Sequence, residues 1–308
     1  MRRLVFITLF ALCCVPRLSA QTVYPDASSQ MTLLQARLPR DAASLGMGAT
    51  AVLESSSIAY SSLMNSSVAP FSANEMDFSA SYALWQPGIP SSSNNMSAGF
   101  AYNYESTIAV SMAFAYDNLS DYDIADSDGV IRNSYTPSNL VVSLGAAWRF
   151  LEFLSAGFSI HYLYSNIYDN VGYGAPSFDF GLTAAHGPLS AALGVSNMGG
   201  KVGGKYSLPS SFYCAGAGTL KAGESQFNLR AEADWYFAGA FRFAAGGCWN
   251  WRFLTLRTGY NLGGGSPTGD FFSLGLGLRF ESVTLDAAFL PGAAPMGGST
   301  CFTLGFKF

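Results

Sequence analysis

The C-terminal part of the chain alternates between large apolar and small or polar side chains in three successive stretches. In the first stretch, one face of an extended strand is apolar and the other carries glycine, serine and arginine. The two faces are Phe272, Leu274, Leu276, Leu278 and Phe280 against Ser273, Gly275, Gly277 and Arg279. Residues 283–289 and 302–308 repeat the pattern. A strand between lipid and a polar lumen needs this division, so the pattern predicts strands of a transmembrane barrel.

Eleven earlier stretches have the length and composition of strands and follow one another at regular spacing. They are residues 76–85, 96–104, 106–116, 139–150, 152–164, 177–186, 189–197, 210–220, 226–236, 240–250 and 252–261. With the three C-terminal stretches, the total is about 14, an even number in the range of bacterial outer-membrane barrels. We therefore predict an all-β fold, a transmembrane antiparallel β-barrel formed by residues 76–308.

The links between these strands alternate between tight and long. The tight links are 105–106, 151, 187–188, 222–225, 250–251 and 281–282. The long links are 86–95, 119–138, 166–176, 198–209, 262–269 and 291–298, and only the link 237–239 breaks the alternation. Outer-membrane barrels have short periplasmic turns and long outer loops. The alternation therefore predicts that both termini are periplasmic.

The composition agrees with a membrane barrel. Hydrophobic residues make up 49% of the 308 residues and charged residues only 12%, about half the usual charged share of soluble domains. Beyond the N-terminus no apolar run is long enough for a spanning helix, and only helices and closed barrels satisfy their backbone hydrogen bonds in lipid. The net charge of −4 and the lack of a basic cluster argue against a nucleic-acid partner, so lipid is the expected surrounding.

Residues 1–20 have the pattern of a secretory signal peptide. Arg2 and Arg3 supply the positive start, residues 4–15 are the apolar stretch, and small residues end it at Ala20. We expect cleavage near Ala20 and export to the bacterial outer membrane.

Residues 21–75 differ from the strand region because their apolar positions do not repeat every two residues. They are rich in Ala, Ser, Gly and Met, and the pattern allows one or two short helices. Because the segment is too apolar for a solvated tail, we predict a plug or hatch in the barrel, with a loosely ordered periplasmic tail as the alternative. Many inward side chains are small, so the lumen is either open or occupied by this segment.

Charged residues of both signs fall on the inward faces of the predicted strands, where they can pair with one another or hold the plug. The candidates for contacts between plug and lumen are Arg149, Arg230, Glu232, Asp234 and Arg257. Acidic residues also cluster in a long link, and they are candidates for outer-loop contacts: Asp121, Asp123, Asp126 and Asp128. Their spacing does not match a calcium loop, so we expect a solvated acidic loop, with calcium binding as the alternative.

Catalysis has little support in the sequence. The only histidines, His161 and His186, lie on different predicted strands, and no hydrolase motif is present. We expect His161 to make a structural hydrogen bond inside the lumen. We predict a protein that is not an enzyme and has no catalytic residues, no metal ligands and no cofactor.

Three parts of the chain resemble the PorV/PorQ family of Bacteroidetes outer-membrane proteins. Residues 36–69 are similar to the N-terminal motif of that family, in which an Ala-Arg start leads to a Met-Gly turn and an Ala-rich piece. Residues 193–208 resemble its Asn-x-Gly-Gly-Lys segment, and residues 256–308 resemble its closing strands. The chain departs from the family at Asn65, where Ser-Ser follows in place of the expected Pro-Ala.

The resemblance implies a FadL-like barrel with fourteen strands and an N-terminal hatch. It also implies a part in type IX secretion, in which such proteins bind secreted cargo proteins or subunits of the secretion machinery. A component of protein export that binds partners is therefore one functional hypothesis. The alternative is a FadL-like transporter of small hydrophobic compounds, which should have a contiguous apolar track in its lumen. The inward faces are mainly small and polar, which favours partner binding, and a purely structural barrel is a third possibility.

Overall fold

Fourteen antiparallel strands close into a barrel in the computed structural model, which describes residues 31–85, 93–126, 128–168, 171–263, 269–291 and 298–308. The first strand pairs with the last, with Phe78 opposite Phe306 and Tyr82 opposite Phe302. The predicted fold class, an antiparallel barrel of about 14 strands, is confirmed. The strands, together with a separate hairpin formed by β4 and β5, are β1 (Met76–Trp85), β2 (Ser93–Tyr104), β3 (Ile108–Leu119), β4 (Tyr122–Ala125), β5 (Ile131–Tyr135), β6 (Ser138–Leu151), β7 (Leu154–Tyr168), β8 (Val171–His186), β9 (Leu189–Met198), β10 (Ser211–Ala222), β11 (Ser225–Tyr236), β12 (Phe241–Trp251), β13 (Leu254–Leu262), β14 (Phe271–Phe280), β15 (Val283–Leu290) and β16 (Ser299–Lys307).

The outer and inner faces of the barrel wall differ in polarity, as the alternation in the sequence predicts. On β14, Phe272 and Leu274 are exposed on the outside, whereas Ser273 between them is fully buried on the inside. Closure pairs every strand with two neighbours, so the barrel has no open sheet edge. The wall therefore presents apolar side chains outwards and mainly small or polar side chains to the lumen.

One end of the barrel carries the short links, and we call it the turn end. The links there have two or three residues: 105–107, 152–153, 187–188, 223–224, 252–253 and 281–282. The opposite end, which we call the loop end, carries the links 120–137, 199–210 and 237–240. The other links at the loop end include residues 86–92, 169–170, 264–268 and 292–297, which lie outside the described residues.

One of the predicted long links is mostly strand. Residues 166–176 were expected to form a loop, but β7 extends to Tyr168 and β8 begins at Val171. Gly172 and Gly174, within this stretch, each lie beside a tyrosine of β7. A Cβ atom at Gly172 would come within 2.2 Å of the Tyr164 hydroxyl oxygen, so the glycine makes room for this side chain within the paired strands.

The link between β3 and β6 contains the β4–β5 hairpin, which the pattern analysis did not predict. The hydroxyl of Tyr122 donates a hydrogen bond of 2.8 Å to the carbonyl oxygen of Ile167. The rings of Tyr135 and Tyr168 lie 5.9 Å apart between centroids. The hairpin therefore packs against the loop end of β7 through tyrosines, while β3 and β6 pair directly with each other.

Residues 31–74 lie inside the barrel, where nearly all of their side chains are buried, and we call them the luminal segment. They form only short helical turns: the 3-10 helices Leu34–Arg37 and Ser66–Phe71, and the α-helices α1 (Ala42–Leu45) and α2 (Ser61–Met64). Asp41 caps α1 by accepting a hydrogen bond of 2.7 Å from the backbone N–H of Ser44. Among the described residues, no helix is both long enough and apolar enough to cross a membrane.

The luminal segment extends from one end of the barrel to the other. The backbone N–H of Thr32 donates to the carbonyl oxygen of Ser207 at the loop end, at 2.9 Å. At the turn end, the Lys307 ammonium donates to the carbonyl oxygen of Ser56 at 2.7 Å. The C-terminal Phe308 also lies at the turn end, where it pairs with Met76. Residues 1–30, with the predicted signal peptide and the predicted periplasmic N-terminus, lie outside the described residues.

Candidate functional site

The lumen near the loop end contains a buried ion network of Arg37, Glu232, Asp234 and Arg242. Arg242 on β12 pairs with Glu232 at 2.7 Å and with Asp234 at 2.6 Å. Arg37, from the luminal segment, pairs with the other oxygen of Asp234. Two carboxylates therefore face two guanidinium groups, which is the compensation that buried charges require.

The same network holds the backbone of the luminal segment. Glu232 accepts hydrogen bonds of 3.1 Å from the backbone N–H groups of Ala51 and Val52. Arg242 donates to the carbonyl oxygen of Ala49 at 2.5 Å. Glu232 and Asp234, two predicted contact residues, therefore lie where the luminal segment meets the wall.

The remaining three predicted contact residues differ in their partners. Arg230 pairs with Glu54 of the luminal segment at 2.6 Å. The guanidinium of Arg149 lies 4.8 Å from the centre of the Phe71 ring, which also belongs to the luminal segment. Arg257, in contrast, pairs with Asp286 of the wall at 2.6 Å.

A second ion pair near the loop end was missed by the pattern analysis. Arg40 of the luminal segment pairs with Asp117 of β3 at 2.5 Å, and Asn95 donates to the same carboxylate at 2.8 Å. All three side chains are buried. Arg37 and Arg40 are the only basic residues of the luminal segment, and this is the sequence signal that could have identified them.

The four acidic candidates for outer-loop contacts lie in or beside the β4–β5 hairpin. Asp126 accepts hydrogen bonds of 3.0 Å from the backbone N–H groups of Asp128 and Val130, which shapes the turn. Asp121 accepts from the hydroxyl of Thr136, and Asp123 lies in β4. Within the described residues, no group of three or more His, Cys, Asp or Glu side chains could hold a metal ion.

An apolar cluster occupies the half of the lumen that is nearer the loop end, and we call it the luminal apolar cluster. The wall contributes Val141, Leu163 and Ala175 from β6, β7 and β8. Leu33, Leu63 and Met64 come from the luminal segment, and Val202 and Leu208 from the link between β9 and β10. Apolar side chains are therefore continuous from the loop end down to α2. This is the feature that the sequence analysis expected of a transporter.

Below this cluster, His161 of β7 is buried on the inner face of the wall. Its Nε2 atom lies 3.2 Å from Oδ1 of Asp179 on β8, which is also buried. The second histidine, His186, is at the turn end of β8. The two histidines are therefore separate, as their positions on different predicted strands indicated.

No family model and no curated protein matches this sequence. Among solved structures, the chain is similar to the toluene transporter TodX of P. putida, with a TM-score of 0.61 and 11% identity over 87% of this chain and 98% of that chain. It is similar to the monoaromatic hydrocarbon channel CymD, with a TM-score of 0.61 and 12% identity over 88% and 98% of the two chains. A FadL homologue of Pseudomonas aeruginosa gives a TM-score of 0.57 and 11% identity over 88% and 99%.

Identities this low establish the fold and nothing more. The chain has the FadL-like barrel fold, a closed antiparallel barrel of 14 strands, so the fold that the resemblance implied is confirmed. No comparison supports the narrower assignment to the PorV/PorQ family, which stays a prediction.

Proposed function

We propose that this protein is a channel of the bacterial outer membrane for small hydrophobic compounds, closed by its luminal segment. The luminal apolar cluster carries this proposal, because it offers an apolar compound a continuous surface from the loop end to α2. The similar structures are described as a toluene transporter, a monoaromatic hydrocarbon channel and a FadL homologue, which supports the same class of cargo. Transport, the alternative hypothesis of the sequence analysis, thus becomes the main one, without a catalytic step.

The outer wall supports a location in a membrane. Large apolar side chains are exposed around its circumference, for example Leu144 (57%), Leu229 (60%) and Phe302 (56%). Such a surface is unfavourable in water and suits lipid. In this proposal the turn end faces the periplasm and the loop end faces the outside, because outer-membrane barrels have short periplasmic turns.

The luminal segment would have to move for a compound to pass. Leu33, Leu63 and Met64 of this segment are themselves part of the luminal apolar cluster, so a compound that binds there replaces their contacts with the wall. The ion pairs of Arg37 and Arg40 hold the segment near the loop end. A compound that separates the segment from β6 to β8 would open a path while these ion pairs stay in place.

A reversible cross-link tests whether this movement is needed. The Oγ atoms of Ser66, in the luminal segment, and Ser159, in β7, are 2.7 Å apart. The variant Ser66→Cys/Ser159→Cys would therefore form a disulfide that ties the segment to the wall. Thr219→Cys/Asn228→Cys is the matched control, because Oγ1 of Thr219 and Oδ1 of Asn228 are 2.7 Å apart on paired strands and both residues belong to the wall. Cys214, Cys248 and Cys301 are replaced by alanine in both backgrounds.

The measurement is uptake of a radiolabelled hydrophobic compound by cells of a Gram-negative host that lacks its own channels for such compounds. We expect the wild type to raise uptake above that of the host alone. The oxidised Ser66→Cys/Ser159→Cys variant should lose this gain and regain it on reduction, whereas the control pair should transport in both states. Uptake no faster than in the host alone would contradict the channel proposal. Equal uptake by the Ser66→Cys/Ser159→Cys variant in its oxidised and reduced states would contradict the proposal that the luminal segment must move.

Binding of protein partners in export is the second candidate. It is supported by the β4–β5 hairpin, which exposes the apolar side chains of Val130 (49%) and Ile131 (61%) beside Asp121, Asp123 and Asp128 at the loop end. Cross-linking in the native outer membrane, followed by mass spectrometry, tests it. Recovery of secreted proteins or secretion-machinery subunits with the wild type, and their loss when the hairpin is deleted, would support this function. Equal recovery with and without the hairpin would contradict it.

A further inference from the structure

Three buried polar atoms without hydrogen-bond partners lie together on β7 and β8. They are Nε2 of His161, Oγ of Ser177 and Oδ2 of Asp179. All three residues are at most 5% exposed. His161 and Ser177 are directly opposite each other in the strand register, and Asp179 is the next inward residue along β8. Neighbouring inward positions on paired strands have their Cβ atoms about 5 to 7 Å apart, so one ligand group can reach all three. We call these residues the luminal polar group.

The luminal polar group is also incompletely paired by its surroundings. Oδ1 of Asp179 accepts a hydrogen bond of 2.6 Å from the backbone N–H of Asn197, which fixes the carboxylate. The other oxygen, Oδ2, has no hydrogen-bond partner. Nε2 of His161 is 3.2 Å from Oδ1 but does not meet the angular requirement for a hydrogen bond. A buried polar atom that lacks a partner costs about 1 to 3 kcal/mol, so a ligand that satisfies these atoms gains free energy.

The luminal polar group lies directly beneath the luminal apolar cluster. Leu163 and Ala175 of that cluster are opposite each other in the register of β7 and β8, and His161 and Ser177 form the next inward pair. The segment around α2 covers this place, because Ser143, opposite His161 on β6, donates to the carbonyl oxygen of Ser62 at 2.9 Å. The apolar surface therefore ends on hydrogen-bonding atoms, with α2 above them.

We propose that the luminal polar group binds the hydroxyl end of an amphipathic compound whose apolar part lies in the luminal apolar cluster. This inference rests on the proposed channel function and specifies its substrate class. A hydroxyl can donate to Oδ2 of Asp179 and accept from the hydroxyl of Ser177 and, in the tautomer protonated at Nε2, from His161, so all three atoms are paired. A pure hydrocarbon leaves them unpaired, and a carboxylate meets the like charge of Asp179. The order of preference is therefore alcohol, then hydrocarbon, then carboxylate.

Three probes with the same twelve-carbon chain test this order: radiolabelled 1-dodecanol, dodecane and dodecanoate. Uptake is measured in the same host as above, with the wild type and with Ser177→Ala and Asp179→Asn. Ser190→Ala is the matched control, because Ser190 is an inward serine of β9 outside the luminal polar group. The electrophoretic mobility of the folded barrel verifies that each variant is assembled.

We expect wild-type uptake to be fastest for dodecanol. Ser177→Ala and Asp179→Asn should each lower the ratio of dodecanol uptake to dodecane uptake roughly three- to tenfold, the usual worth of one or two hydrogen bonds. Asp179→Asn should speed dodecanoate uptake, because the like charge is removed, and Ser190→Ala should change none of the three.

The outcomes separate this inference from the channel proposal. If dodecane enters through the wild type but dodecanol has no advantage, or if the variants slow both compounds equally, the inference is wrong and the channel proposal stands. If none of the three probes enters faster than in the host alone, the channel proposal fails and the inference fails with it.

Discussion

At the scale of single residues, the charges in the lumen connect the luminal segment to the wall. Arg242 illustrates this, because its guanidinium pairs with Glu232 and Asp234 and also donates to the carbonyl oxygen of Ala49. Its Nε donates to the side-chain oxygen of Asn261 at 2.7 Å. A buried ion pair contributes modestly as a pair, but removal of one partner leaves an uncompensated charge.

Replacement of Arg242 by methionine should therefore destabilise the protein strongly. The carboxylates of Glu232 and Asp234 would lose the guanidinium that pairs with both, and we expect a loss of about 3 to 5 kcal/mol in the free energy of unfolding. Denaturant unfolding in detergent micelles measures it. Arg252→Met is the matched control, because the pair of Arg252 with Glu224 is exposed and should be worth at most about 1 kcal/mol. Equal losses in the two variants would contradict the structural role of the network.

Glycines of the wall allow the luminal segment to lie close to it. Gly246 and Gly259 are opposite each other on β12 and β13, and the backbone at Met47 and Gly48 passes over them. A Cβ atom at Gly259 would lie 2.2 Å from the backbone nitrogen of Gly48. Gly48 itself has a φ of 71°, a conformation that favours glycine. The fit is therefore between two backbones, which cannot adjust as a side chain can.

The variant Gly259→Ala should displace the luminal segment while the strands stay paired. We expect a destabilisation of about 1 to 3 kcal/mol and faster proteolysis of the luminal segment. Limited proteolysis with mass spectrometry identifies the cleaved bonds. Gly218→Ala serves for comparison, because its Cβ atom would meet only a leucine methyl at 3.6 Å. Similar cleavage in both variants would show that the close approach at Gly259 does not hold the segment.

At the scale of elements, the barrel strands and the β4–β5 hairpin are independent. β3 and β6 pair along their lengths, from Ile108 opposite Trp148 to Asn118 opposite Ser138. The hairpin lies between them in sequence but touches the wall through the tyrosines at the loop end of β7. Its removal therefore interrupts no ladder of the barrel.

Deletion of residues 121–136, with a short Gly-Ser link in their place, should leave the barrel stable. We expect the midpoint of thermal unfolding to change by less than about 2 °C, which is less than roughly 1 kcal/mol for a protein of this size. Circular dichroism at the strand signal measures it. A large fall in the midpoint of thermal unfolding would mean that the hairpin stabilises the barrel wall, and it would contradict this prediction.

At the scale of the whole molecule, the luminal segment fills the lumen that the barrel wall encloses. A barrel of 14 strands encloses more space than the side chains of its own wall can fill. The inward residues of β1 and β3 are small, for example Ser79, Ala109 and Ala113, and the luminal segment packs against them.

A variant that lacks residues 31–74 should therefore fold into an open barrel. We expect it to conduct ions in planar bilayers, whereas the wild type should conduct far less, because the wall keeps its own pairing and only the filling is lost. The hairpin deletion is the control, since it leaves the luminal segment in place. A deleted variant that assembles but does not conduct would show that the wall closes the lumen without the segment.

The length, composition and regular spacing of short apolar stretches, with clear alternation in several of them, were enough to identify the fourteen barrel strands. The exceptions have local causes. Residues 166–176 were expected to form a loop, since the sequence does not reveal that β7 and β8 stay paired there, with tyrosines of β7 beside Gly172 and Gly174. The β4–β5 hairpin was missed because its strands are short and face solvent, so neither face needs to be apolar.

The sequence by itself determined the barrel and its strand number, which follow from the number of strand-like stretches along the chain. It also determined the inward position of Arg230, Glu232 and Asp234, because these residues alternate with apolar residues within one strand. Only the tertiary structure decided their partners. Arg37 and Arg40 meet Asp234 and Asp117, residues that are far away in the sequence and come together only when the barrel closes around the luminal segment. The luminal apolar cluster and the luminal polar group arise in the same way. Each combines residues from several strands, and periodicity along one strand contains no information about which side chains meet across the lumen.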